Sequence, residues 1–528
     1  MTTRSEIVAY PTRTRDQHFG DPGPKRILAL DGGGLRGILT LGILRRVEGV
    51  LRERHGNAPS FRLCHYFDLI AGTSTGAIIA AGLALGMSVD EVIGHYQQLG
   101  REVFCKDWLR HGIIRSRYDE TALVTNLKRV FGEDRTLGDT SIQTGLLIMT
   151  KRLDTGSPWP LGNNPKGRYF RPTGNATWVP NADYPLWQVV RASTAAPTYF
   201  DAESIIITAE EGKTPVVGTF VDGGVSPFNN PSLQALMYAT LGGYRIDWKV
   251  GADKLLLVSV GTGISNPSQA PSKIAAQGAV RALFSLMDDC ASLVETTMQW
   301  MSISPTARII DRELGTCDGD VLGGAPLLSY LRYNTLLTAE QVDKLTPGLP
   351  PPQVATLGAM DDPDNMQALL RIGDAVGHKQ VSAAHFTPTF DLVPVVPAAA
   401  GGRTKYLKRP NQSVVAVQVA LNGAGFTYEK WGGTQRCKPG DWLVNNDGDV
   451  YTVDAETFRR TYERVGDGKY LKIAPVWATV AHESGQVPTK EGSTAYKAGD
   501  YLVSNEEDGS DAYAVEAQKF EAMYEPVA

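Results

Sequence analysis

Cysteine is scarce in this chain, with five in 528 residues: Cys64, Cys105, Cys290, Cys317 and Cys437. Their number is odd and none has metal-ligand spacing, so reduced intracellular thiols are expected rather than a disulfide framework or a metal site. A strong charge of either sign is also lacking. The formal net charge of −5 supplies no basic field, so no nucleic-acid partner is expected. Met1 to Gly20 carries charges throughout and has no apolar centre, which argues against a secretory signal. An unbroken apolar span is missing as well. Leu69 to Val89 contains no charged residue and has the length of a membrane helix, yet Gly72, Gly76, Gly82 and Gly86 interrupt it. A buried strand, a turn and a helix ended by Gly86 explain it better, with Ser88, Asp90 and Glu91 opening a second helix.

What the chain does have is glycine in particular places. Gly72-Thr73-Ser74-Thr75-Gly76 follows the apolar run Tyr66 to Ala71 and sets a serine between two glycines. A sharp strand-to-helix turn of this kind exposes the hydroxyl above a sheet, beside the N–H groups of a helix start, and suits a nucleophile. Upstream, Lys25 to Leu30 reads as a buried strand running into Asp31-Gly32-Gly33-Gly34-Leu35-Arg36-Gly37. Successive glycines present bare N–H groups of the type that stabilise a developing oxyanion, each worth about 3 kcal/mol of barrier. Ile38, Leu41, Leu44, Val47 and Leu51 then recur at helical spacing. Gly32, Gly34 and Gly37 also fit the spacing of a dinucleotide-binding turn. That reading expects the next strand to end in an acidic residue, and here it ends in the Ser74 turn.

A third element is Asp222-Gly223-Gly224, placed after the strand-like Thr219-Phe220-Val221. An Asp-Gly-Gly step is commonly a plain turn. At the end of a central strand its carboxylate can instead take the proton of Ser74 and later return it to a leaving group. A Ser-Asp-His arrangement is open as well, because His378 and His385 both follow in the chain.

Taken in order, Asp31 to Gly37, Gly72 to Gly76 and Asp222 to Gly224 resemble the patatin-like phospholipase family, as do Arg191 to Phe200, Asn229-Asn230-Pro231 and Ser259 to Gly263. The resemblance spans about residues 25–390. It implies a lipid acyl hydrolase of phospholipase A type, without cofactor or catalytic histidine. Ser74 would be nucleophile and Asp222 base, with Gly32, Gly33, Gly34 and Arg36 as the oxyanion hole. An aspartate of ordinary pKa near 3.9 is a weak base, so burial is expected to raise that of Asp222. It further implies a cytoplasmic enzyme, peripheral at the inner membrane when active, that docks transiently on phospholipid. Some bacterial members are defence effectors held silent until a signal arrives, so a small-molecule or protein activator is expected. The alternatives are the Ser-Asp-His esterase and a catalytically silent ligand-binding or assembly protein.

The organisation read from the sequence is an N-terminal arm at 1–24, the acyl hydrolase domain at 25–390, a Pro/Ala/Gly-rich linker at 391–410 and a module at 411–528. Apolar runs at Leu146 to Met149 and Leu255 to Val260 alternate with helical stretches at Thr121 to Val130 and Ser232 to Leu241. This rhythm predicts an α/β domain of three layers around a mainly parallel sheet. Asp154 to Tyr184, polar and aperiodic, is either a lid or a surface insertion. In the module, Lys438 to Val444 recurs as Lys497 to Val503, Phe458 and Tyr462 recur as Phe520 and Tyr524, and Gly433 recurs as Gly492. Two related β-rich halves are expected, either binding a regulator, a protein partner or a second copy of the chain, or merely stabilising it. Asp441 and Asp500 read as turn residues.

Overall fold

Nine strands form the central sheet: β1 (Lys25–Leu30), β2 (Leu69–Thr73), β3 (Gly145–Arg152), β4 (Pro158–Gly162), β5 (Glu203–Thr208), β6 (Val216–Asp222), β7 (Leu255–Val260), β8 (Ser302–Ile303) and β9 (Leu328–Tyr333). They come from a computed structural model describing residues 12–104, 118, 120–171, 177–209, 212–265, 275–392, 403–409, 413–420, 425–430, 433–446, 448–453, 455–481, 485–489, 492–506 and 512–527. The first eleven residues, Cys105 and most of the expected linker lie outside them. The chain separates into two compact units, Thr12–Leu392 and one holding the described residues from Arg403 onward.

In the first unit the strand order is β5-β6-β3-β2-β1-β7-β9-β8, with β4 also on β3. The run from β3 to β8 is parallel. β4, β5 and β6 join antiparallel. Ile27, Ala29, Leu69, Ala71, Leu255 and Leu257 pack one face against Ala235, Leu236, Val294 and Met298 of helices Ser232–Thr240 and Ala275–Trp300. The alternate residues, such as Leu28, Ile70 and Leu256, point to the other face by the period of two. Helices Gly37–Arg54 and Thr75–Ala84 cover that side. Sheet and two helical layers therefore form as the sequence pattern predicts.

Two expectations are corrected. Residues 12–24 are not a detached arm. Thr14 and Gln17 form a capping box on helix Arg15–Gly20, Phe19 is buried in the core, and His18 Nδ1 lies 2.9 Å from Asp68 Oδ1. A short amphipathic segment in a charged stretch hides these anchors from a composition reading. Nor is β6 a central parallel strand, being antiparallel and one place from the sheet edge.

The second unit is β-rich and double. Its first half has the strand order 449–453, 442–446, 414–418, 469–472, 462–466, and its second 512–515, 501–504, 476–480, 404–408, 524–526. Each half centres on a phenylalanine from a short helix: Phe458 stacks on Trp442 at 4.1 Å, and Phe520 on Tyr501 at 4.1 Å. Asp441 and Asp500 each accept the N–H three residues earlier at 2.8 Å, as turn residues do. The duplication runs further than the sequence reading recognised, because Lys405 to Lys408 recurs as Lys469 to Lys472. The earlier copy lies in the sheet of the second half, with Leu407 opposite Glu525. That half is thus closed by strands from the two ends of the unit. Phe520→Ala should cost roughly 3–5 kcal/mol by emptying this centre, read as a lowered denaturation midpoint.

Candidate active site

Ser74 sits where β2 turns into helix Thr75–Ala84, at φ 54 and ψ −122, outside the ordinary wells of a non-glycine residue. The close crossing needs glycine on either side. A Cβ at Gly72 would fall 2.2 Å from the Gly76 carbonyl oxygen, and one at Gly76 would fall 2.2 Å from that of Leu30. Ser74 N–H donates to Ser193 Oγ at 2.9 Å, and Ser193 Oγ donates to Met149 O at 2.6 Å. The turn is therefore fixed to β3 as well as to its own helix.

Asp222 is positioned by the same strand. Thr73 is opposite Met149 in the β2–β3 pairing, and Asp222 is opposite Thr150 in the β3–β6 pairing. Neighbouring residues of β3 thus bring together two groups far apart in the chain. Ser74 Oγ donates to Asp222 Oδ2 at 2.5 Å, while the other carboxylate oxygen accepts Gly224 N–H at 2.7 Å. Burial pushes the Asp222 pKa up to about 6, against the Ser74 and Gly224 hydrogen bonds and the charge of Arg191, which lower it.

Along the glycine loop some backbone donors are engaged and others remain free. Gly32 N–H donates to Asn229 O at 3.1 Å, and Leu35 N–H to Met360 O at 2.7 Å. The Gly32 carbonyl accepts from Thr262 Oγ1 at 3.1 Å and Asn229 Nδ2 at 3.4 Å. The Gly34 carbonyl accepts from Tyr96 Oη at 2.5 Å. The N–H groups of Gly33 and Gly34 have no acceptor among the described residues, and both glycines line a pocket with Ser74 and Asp222. The four residues expected to form an oxyanion hole therefore differ in what they have free to offer. Gly32 N–H already has an acceptor, and Arg36, buried, is not among the residues lining the pocket.

The pocket encloses about 890 Å³, part of it open to solvent. Beyond the polar groups its wall is apolar, with Ile78, Leu99, Phe104, Leu123, Phe200 and Met287 among the lining side chains.

Residues 28–236 match the family described as Patatin-like phospholipase. A cGAMP-activated phospholipase of Escherichia coli strain TW11681 is 28% identical over 251 residues, covering 47% of this chain and 64% of that one. Another, of Vibrio cholerae serotype O1, is 29% identical and covers 49% of this chain and 70% of that one. A cUMP-AMP-activated phospholipase of Escherichia coli is 32% identical over 246 residues, covering 47% of this chain and 67% of the relative. The chain belongs to the patatin-like phospholipase family.

Among the described residues of this patatin-like unit no histidine lines the pocket. His385 Nδ1 pairs with Tyr333 Oη at 2.9 Å, and His378 is exposed in the last turn of helix Met366–Gln380. The described part of 154–184 contributes strand β4 and no residue lining the pocket. Several positioning groups escaped the sequence reading. Tyr96 holds the Gly34 carbonyl, Ser193 holds the Ser74 amide, and Arg332 clamps Asp31 with bonds of 2.9 and 2.6 Å. Ser193 and Asn229 lay within stretches quoted for the family resemblance, which was their one visible signal. Tyr96 and Arg332 carried none. No helix among the described residues is long and apolar enough to cross a membrane.

Proposed function

We propose that this protein hydrolyses phospholipid acyl esters through a Ser74–Asp222 dyad and is switched on by a small anionic nucleotide. Ser74 Oγ attacks the ester carbonyl carbon as its proton passes to Asp222. The carbonyl oxygen, now negative, is held by the N–H groups of Gly33 and Gly34. The tetrahedral adduct collapses, the C–O bond to the lysolipid breaks, and Asp222 returns the proton to the departing alkoxide. Water then gives a proton to Asp222 and attacks the acyl-serine. Free fatty acid leaves and Ser74 regains its hydrogen.

The observation that carries this reading is the 2.5 Å Ser74–Asp222 hydrogen bond inside an apolar pocket. Regulation rests on the relatives named as activated by cyclic dinucleotides. Access to substrate requires transient contact with a phospholipid surface, and the duplicated unit is the proposed seat of control. The test is incubation of the full chain with mixed phospholipid vesicles, with and without a panel of cyclic dinucleotides. Release of fatty acid and lysolipid is expected, raised by one of the nucleotides; no release under any condition refutes the activity.

A pH dependence follows from the base. Only ionised Asp222 accepts the Ser74 proton, and its pKa lies at about 6. kcat/KM should therefore rise tenfold per pH step well below that value and level off above it. A profile flat down to the ordinary carboxylate range would remove Asp222 as the base.

A further inference from the structure

The helix that follows the nucleophile borders two cavities. One is the pocket at Ser74; the other, a narrow space of about 350 Å³ when its part open to solvent is counted, lies among helices Thr75–Ala84, Val89–Val103 and Glu120–Phe131. Ile78, Tyr96 and Leu99 line both, so the partition is a single layer of side chains. Thr75, Ile78 and Gly82 share one helix face. Thr75 and Ile78 border the first cavity, Ile78 and Gly82 the second. At 1.5 Å per residue, Gly82 stands about 12 Å along the axis from Ser74. The face leads away from the reacting centre and directly into the second space.

The chemistry of that space selects its occupant. Met87, Val92, Leu127, Val130 and Phe131 supply most of its wall. Its buried polar groups are already engaged: Tyr96 Oη with the Gly34 carbonyl, and Asn126 Nδ2 with Glu102 Oε2 and the Ala122 carbonyl at 2.8 and 3.0 Å. Asn126 Oδ1 accepts from Arg129. His95 is at the exposed rim. A polar headgroup would find no free partner in this interior, whereas a hydrocarbon would gain the dispersion contacts that the void forfeits.

We propose that the two cavities are one acyl channel. The distal cavity takes the methyl end of a long fatty acyl chain, and the Ile78–Leu99 partition sets the chain length at which turnover falls. The proposal rests on the reading of Ser74 as the acyl-accepting nucleophile.

Two measurements on the full chain test it. The first compares kcat/KM for p-nitrophenyl palmitate and butyrate. Val130→Phe, which fills the distal cavity, should lower the palmitate-to-butyrate ratio about tenfold, and Leu99→Ala should raise it several-fold. Unchanged ratios in both variants overturn the channel while leaving the hydrolase reading intact. The second measurement needs no turnover: palmitate bearing a photoreactive diazirine at its methyl end should label Met87, Leu127 or Phe131. Label confined to the Ser74 pocket or to the outer surface overturns the channel even in a chain that hydrolyses nothing.

Discussion

Asp222→Asn should lower hydrolysis by about three orders of magnitude or more and leave the protein at least as stable as the wild type. The side chain keeps its shape, and its carbonyl oxygen can still accept Gly224 N–H, now at 2.7 Å from Asp222 Oδ1. What disappears is the capacity to accept a proton. The stability half of the expectation comes from linkage. In the folded protein Asp222 titrates at about 6 because it is buried, whereas an unfolded aspartate titrates near 3.9. Between these values the folded state binds more protons than the unfolded one. Stability is therefore lost as pH rises through this window, amounting to roughly 3 kcal/mol by neutrality. The neutral amide escapes that loss. Melting temperatures at neutral pH should be equal or higher for Asp222→Asn, and any advantage should vanish near pH ~4, where both side chains are neutral. Fatty-acid release by the folded variant at the wild-type rate would exclude Asp222 from the chemistry.

The Ser74 turn and the Asp222 turn were legible because their signals are local. A serine between glycines after an apolar run requires a tight turn whatever the rest of the chain does, and Gly72 and Gly76 prove to be in backbone contact. The parallel sheet was legible for a similar reason, since β1, β2 and β7 are continuous apolar runs buried on both faces. What stayed hidden depends on pairing between distant segments. The direction of β6 follows from its register with β3, and no property of Val216 to Asp222 announces it. Whether Gly32 is free to donate depends on the Asn229 carbonyl, nearly two hundred residues away in the chain. The motif alone therefore does not reveal which of its amides is already engaged. The same limit applied to the duplicated unit, where matching stretches revealed two halves but not the placing of strand 404–408 in the second sheet.

Arg332→Gln should cost roughly 3–5 kcal/mol of stability. Register alone builds the site: Ser259 of β7 is opposite both Ala29 of β1 and Arg332 of β9. Arg332 thereby reaches Asp31, the first residue after β1, with both terminal nitrogens, and donates to Ser259 Oγ at 2.7 Å. Glu295 stands 3.7 Å from Arg332 Nε and 2.6 Å from Arg308 Nε. Asp31, Glu295 and Arg332 are all at most 6% exposed, so water cannot replace the lost cation. Asp31 would then keep only the charge of Arg36 nearby, and Glu295 its pair with Arg308. Asp31→Asn in the same chain should recover much of the loss, because it removes the carboxylate that Arg332 chiefly serves while Arg308 continues to pair with Glu295. The measurement is a double-mutant cycle in denaturant. Losses that simply add would mean that Arg332 supports the fold by packing. A double variant well short of the sum would locate the effect in the ion pair at the root of the glycine loop, and its kcat would then report how firmly that pair holds the Gly33 and Gly34 amides in place.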